Sequence, residues 1–156
     1  MTTGDYTSAQ LAEQAARCEL TRFTAEDAVD LGLLATQKAR ASAKPIIIEV
    51  HRLGRLAYRA VLTGSLPDSD DWIRRKARVV DRFAASTMAV RVRFEERGTT
   101  FNEATGLSEA DYAAHGGGFP IVVPSVGIVG AIYASGLPQV DDHEFLGECL
   151  QEFARR

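Results

Sequence analysis

Residues 115–143, HGGGFPIVVPSVGIVGAIYASGLPQVDDH, decide how the rest of this 156-residue chain is read. A glycine run opens the stretch, two apolar runs follow, and a second glycine and proline corner leads on toward the C-terminus. The runs Phe119–Pro124 and Ile128–Ser135 are rich in Ile and Val, with Ser125, Val126 and Gly127 between them. A short glycine-containing connection between β-branched runs predicts a hairpin. Both runs are apolar at successive positions, so both faces of each strand should be covered, which predicts a hairpin in the interior of a sheet rather than a surface ribbon. Gly130 leaves room for a helix or a ligand to approach the second strand, and packing is the simpler reason for it.

Outward from that stretch, PIIIEV (Pro45–Val50) and Arg55–Leu62, joined through Leu53 and Gly54, predict a second hairpin. Helices are predicted over Tyr6–Arg17 and over Ala25–Ala43, the latter opened by Thr24 and Asp27 as a capping box. Glu19–Phe23, where Leu20 and Phe23 are flanked by polar residues, reads as a brief strand, a weaker signal than the helix before it. Trp72, Lys76, Val79, Val80 and Phe83 recur at helical intervals behind Asp68–Asp71, which are read as its cap. Residues 98–106 read as a loop and Ser108–Ala114 as a short capped helix. Asp141–Glu144 should cap a last helix whose apolar face is Leu146, Cys149, Leu150 and Phe153. Met88, Val90, Val92 and Phe94 alternate with Ala89, Arg91 and Arg93, which is strand periodicity. Two hairpins separated by helices predict one α+β domain over residues 1–156, an antiparallel sheet flanked by helices.

Composition narrows the function classes. A chain that is 46% hydrophobic and 25% charged is that of a globular domain with an ordinary core. A net charge of -3 offers no excess of Lys and Arg for phosphates, so nucleic acid is not an expected partner. No apolar run reaches the roughly 18 residues of a membrane span. The opening MTTGDYTSAQ lacks the pattern of a secretory signal, and Cys18 and Cys149, so far apart, read as free thiols of a cytoplasmic protein.

No catalytic constellation stands out. The HGGG run precedes a strand, whereas a phosphate-cradling loop needs glycines ahead of a helix N-terminus. Its glycines are read as a sharp turn into the sheet, with the amides of Gly116 and Gly117 as donors for a small anionic ligand. Among the histidines, His115 has glycines beside it that leave space for a ligand, the competing role being a hydrogen bond to a backbone carbonyl. His51 is expected to be exposed beside a turn, and His143 to lie in the first turn of the last helix with no required partner. No HxxxH or CxxC spacing marks a metal site, and no GxSxG elbow surrounds Ser135. Arg74, Arg75, Lys76, Arg78 and Arg82 place five cations on one helix. They read as a solvated, salt-bridged face or as a dock for carboxylates, and Trp72 beside them suits a planar anionic ligand or a subunit contact.

The segments DDWIRRK with Trp72, Arg75 and Lys76, the pair Ser86 and Thr87, YAAHGGGFPI and SGLPQVDDH together resemble the haem-degrading-domain (GlcG/HbpS-like) family, in its branch with HGGxFPI and SGLPQxxDH motifs and no assigned activity. The resemblance runs from about Leu20 onward. It favours a helix over Met88–Phe94, against the local alternation, and it implies a profilin-like fold, a homo-oligomer, and haem or a small anionic ligand as what is bound. The ligand-binding residues on this reading are His115, Gly116, Gly117, Phe119, Trp72, Arg75 and Lys76, with His115 as axial ligand or acid/base and Arg75 and Lys76 holding carboxylates. Thr87 and Gly118 stand where serines are usual in the branch, which weakens any hydroxyl role there. The alternative is a non-catalytic oligomeric scaffold or partner-binding module, with Trp72 and Phe119 as contact anchors.

Overall fold

Four antiparallel strands form one sheet in the order β2-β1-β4-β3: β1 (Ile47–Arg52), β2 (Arg55–Val61), β3 (Gly118–Val123) and β4 (Gly127–Ser135). The structure is a computed structural model in which residues 3–156 are described. Six helices accompany the sheet: α1 (Ser8–Arg17), α2 (Ala25–Ala41), α3 (Asp68–Phe83), α4 (Thr87–Glu95), α5 (Phe101–Thr105) and α6 (Gln139–Ala154). Ile48 and Val50 of β1, Phe119, Ile121 and Val123 of β3 and Ile132 and Ala134 of β4 pack on α2 and α6. Ile47, Ala131 and Tyr133 point the other way, onto Ile73, Ala77 and Val80 of α3. The alternation of the strands therefore places an apolar layer on each face, each fully buried aliphatic contributing about 1.5–3 kcal/mol. No described helix is long and apolar enough to cross a membrane.

The central hairpin forms where the sequence places it, closed by a bond from Val126 N–H to the Val123 carbonyl and by Gly127 at φ +117°. Only β4 is interior, however. The β3 strand is an edge, which is why Pro120, with no N–H to donate, is tolerated within it. Gly130 is explained by packing: a Cβ there would lie 2.3 Å from the His51 carbonyl oxygen and 3.0 Å from the Phe23 ring. Gly32 in α2 plays a similar part, leaving space for the Tyr58 ring of β2, whose hydroxyl is 2.6 Å from Thr36 Oγ1.

Residues 88–94 are helical, and packing explains why they read as a strand. Met88 and Val92, four apart, face Leu11 of α1, while Val90 and Phe94 face Val79, Phe83 and Phe101. A helix buried on two sides carries apolar residues at i and i+2 as well as at i and i+4. Ser86 caps it, its side chain accepting the Ala89 N–H.

Several expectations are corrected. Residues 101–105 form α5, nucleated by buried Phe101 and by Thr100, which accepts the Glu103 N–H. Residues 108–114 are a single turn, with Asp111 and Tyr112 N–H on the Ser108 carbonyl. Residues 19–23 are neither helix nor strand, and Leu20 N–H reaches the Val122 carbonyl at the sheet edge. Asp68–Asp71 do not cap α3, which Pro67 opens, and Asp141–Glu144 form no capping box on α6. Their carboxylates are drawn elsewhere: Asp70 pairs with Arg59, Asp71 with Arg74 and Arg75, and Asp142 with Lys76.

His143, expected at a permissive helix turn, is fully buried and joins α6 to α1. Its Nε2 donates to Gln14 Oε1 at 2.7 Å, its ring stacks on Phe119 at 4.8 Å, and Nδ1 has no partner among the described residues. Burial pushes the imidazole down to about 4, because a charged ring here loses its water. The unfolded chain takes up this proton near 6.5, so the contribution of a neutral His143 is complete above pH 6.5 and is lost as pH falls toward 4, about 3 kcal/mol in all. Asp142 has the opposite slope, since burial raises its carboxyl to about 6 and the folded state binds the proton first. The two nearly cancel between pH 4 and 6. In His143→Gln the His143 slope is gone while those of the other groups, His115 and Asp142 among them, remain, so relative to the parent protein the urea midpoint of the variant should rise as pH is lowered from 6.5 to 4; a difference between the two midpoints that stays constant over that window refutes the assignment.

Candidate ligand-binding site

The HGGG run is fixed from three directions. Gly116 N–H donates to Gln139 Oε1 at 3.0 Å, Gly118 N–H donates to Thr87 Oγ1 at 3.1 Å, and the Gly117 carbonyl accepts Ala134 N–H at 3.0 Å. The amides of Gly116 and Gly118 are thus spent inside the fold and do not form an open anion nest. Thr87, where a hydroxyl role was expected to be weakened, supplies the acceptor for Gly118. Gly116 and Gly117 are required by contact: a Cβ would lie 2.3 Å from the Gln139 carbonyl oxygen at the first and 2.4 Å from that of Ala134 at the second.

Beside this run lies a pocket of about 410 Å³, bounded by the first turns of α3 and α6 and by the end of β4. Trp72, Lys76, His115, Ser135, Gln139 and Asp142 line it together with Leu66, Leu137 and Pro138. The Trp72 and His115 rings meet edge to face at 4.9 Å, although 42 residues lie between them in the chain. Burial holds the His115 imidazole below its usual range, against the pull of Glu109, whose Oε1 is 2.9 Å from Nε2. Its side chain is 12% exposed. A neutral ring oriented by a carboxylate is the state in which histidine binds metals or moves protons.

The two cations assigned to carboxylates serve the protein instead. Lys76 is buried, and its Nζ donates to the Ala134 carbonyl at 3.0 Å and lies 3.5 Å from Asp142 Oδ2. Burial lowers this amine despite the Asp142 charge, and burial raises the Asp142 carboxyl despite Lys76 and the Leu137 N–H that Oδ1 accepts. Arg75 stacks 4.0 Å over Trp72, pairs with Asp71 at 2.9 Å and donates to the Glu109 carbonyl at 3.1 Å. Arg74 and Arg78 hold Ala110 and Asp111 in the same way, so the arginine stripe is a clamp on the turn before His115. Phe119 lies apart from the pocket, stacked on His143 and lining a slot under α1. Gly116 and Gly117 shape the pocket from behind without lining it.

His51 also departs from expectation, half-buried in β1 with Nε2 2.8 Å from Glu49 Oε1. The pocket residues Gln139 and Asp142, and Glu109 behind His115, are those that the sequence reading left without their roles. Gln139 and Asp142 fall inside the SGLPQVDDH segment, so its proline corner was the available signal. Among the described residues no group of three His, Cys, Asp or Glu side chains is placed to hold a metal ion.

An α+β domain with an antiparallel sheet between helices and a pocket at the entrance to β3 is the class that this geometry defines. The chain belongs to the family described as haem degrading protein HbpS-like, whose model matches residues 23–151. It is 48% identical over 147 residues to a UPF0303 protein of Streptomyces coelicolor, an alignment covering 94% of this chain and 93% of the relative. The crystal structure of Ybr137w protein is similar with a TM-score of 0.88 and 29% identity, over 97% of this chain and 90% of that one. A crystal structure of a PduOC:heme complex shares the fold, with a TM-score of 0.64 and 14% identity over 79% of this chain and 88% of that one.

Proposed function

We propose that the protein binds a small molecule in the Trp72–His115 pocket and acts as a binding protein of the HbpS-like family. The observation that carries this reading is the meeting of an aromatic ring and a neutral imidazole on the wall of a pocket within the usual ligand-site range of about 300–1,000 Å³.

Haem is the candidate that the family description supplies, and an imidazole on the pocket wall supports it. His115 is the residue that would hold it, its ring kept neutral by burial and oriented by Glu109. Bound haem would supply a redox-active iron. Arg75 and Lys76 are already paired within the chain, so binding should depend on His115 and not on a cation clamp for the propionates. A small anionic ligand seated against Trp72 is the coarser form of the same reading.

Trp72 is the only tryptophan, so its fluorescence reports this pocket. Hemin titration should produce a Soret shift together with quenching of Trp72, and His115→Ala should abolish the shift. Absence of a shift, or one unchanged in His115→Ala, ends the haem reading. In the scaffold reading, supported by Leu53, Val126 and Ile128 lying exposed at the turn end of the two hairpins, Trp72 emission stays constant with hemin and with small acids alike.

A further inference from the structure

A slot of about 270 Å³ runs between α1, α4 and the β3 edge, and shares no lining residue with the Trp72–His115 pocket. Its walls are Leu11, Ala12 and Ala15 from α1, Ala85 and Ala89 from around α4, and Val122 from β3. The alanines leave a space that larger side chains would have filled. Its size exceeds the ~150 Å³ apolar cavity that admits benzene and falls just below ordinary ligand pockets, which sets a compact apolar guest.

One cation at this slot is unpaired. Arg93 lines it, one helical turn beyond Ala89, and has no hydrogen-bond or ion-pair partner among the described residues. The neighbouring carboxylates are held elsewhere. Arg91 Nε lies 3.0 Å from Glu95, and Glu96, the carboxylate one turn from Arg93, accepts the N–H and hydroxyl of Ser8 at the start of α1. An apolar slot with one unpaired guanidinium on its wall is complementary to an apolar tail carrying a carboxylate, which Arg recognises bidentately.

We infer that this slot is a second binding site that takes a monocarboxylic acid with a compact apolar tail, such as a medium-chain fatty acid, with its carboxylate on Arg93. Isothermal titration calorimetry with octanoate, octanol and acetate tests it. Octanoate should bind saturably at one site per chain, octanol at least about ten-fold more weakly, as expected for loss of one charge-assisted contact, and acetate not measurably. Arg93→Gln should erase the preference for octanoate over octanol. Ala89→Leu, or Ala15→Leu on the opposite wall if the first does not fold, should abolish octanoate binding while the hemin response of Trp72 is retained. The inference falls if octanoate does not bind, if it binds no better than octanol, or if it survives in both filled variants. It falls equally if light scattering shows the filled variants to change mass while the parent protein ignores octanoate, since the slot is then a contact between copies of the chain.

Discussion

Asp142→Ala is expected to cost about 3–5 kcal/mol of stability, the penalty for leaving one member of a buried ion pair alone. Asp142 and Lys76 are 1% and 3% exposed, so neither charge has water to fall back on. Without the carboxylate, the Lys76 amine keeps only the Ala134 carbonyl, and the Leu137 N–H loses its acceptor just before α6. Lys76→Met should cost less, because the remaining Asp142 carboxyl already sits at about 6 and can take up a proton, whereas an ammonium must shed one to solvent. Lys76→Met combined with Asp142→Asn should recover much of the loss, since the Asn oxygen can still accept from Leu137. Urea denaturation of Lys76→Met, Asp142→Asn and the variant carrying both closes the cycle, and strictly additive costs would show that the pair is not coupled.

Gly117→Ala is expected to destabilise by about 3 kcal/mol or more, from backbone strain and overpacking together. The residue has φ +123°, a region that side chains avoid, and its Cβ would lie 2.4 Å from the Ala134 carbonyl oxygen and 2.6 Å from Lys76 Nζ. Neither obstacle yields cheaply. The first is backbone, and the second is the buried amine held by Asp142. Gly98→Ala is the control, with φ +77° but open space around the new atom, and should cost only the left-handed strain of about 1–2 kcal/mol. Thermal melts of both variants compare the effects, and equal losses would mean that crowding at the pocket wall contributes nothing. A dimmed hemin response in folded Gly117→Ala would add that the wall shapes the site.

The candidate site was half legible. Trp72 and His115 do meet, because a helix beginning at Asp68 and a glycine run entering β3 are both local features that periodicity and turn chemistry reveal. The roles of the charges were not legible. Arg75 and Lys76 are adjacent in sequence, yet helical rotation sends one toward the rim, against Trp72 and Glu109, and the other into the core against Asp142. His143 and Phe119 were likewise assigned from their own neighbourhoods, and what seats them is a stack between α6 and β3 completed by Gln14 from the far end of the chain.

The sequence by itself determined the two hairpins, the long helices and the α+β class, because alternation, helical spacing and glycine corners act over a few residues. It also carried the resemblance to the family whose model matches residues 23–151. Only the tertiary structure decided that β3 is an edge, that residues 88–94 are a helix buried on two sides, and that the glycine amides, the arginine stripe and Lys76 are spent holding the pocket together. Each of those outcomes depends on which partner waits across the fold, and a partner such as Asp142, 66 residues from Lys76, leaves no trace in local pattern.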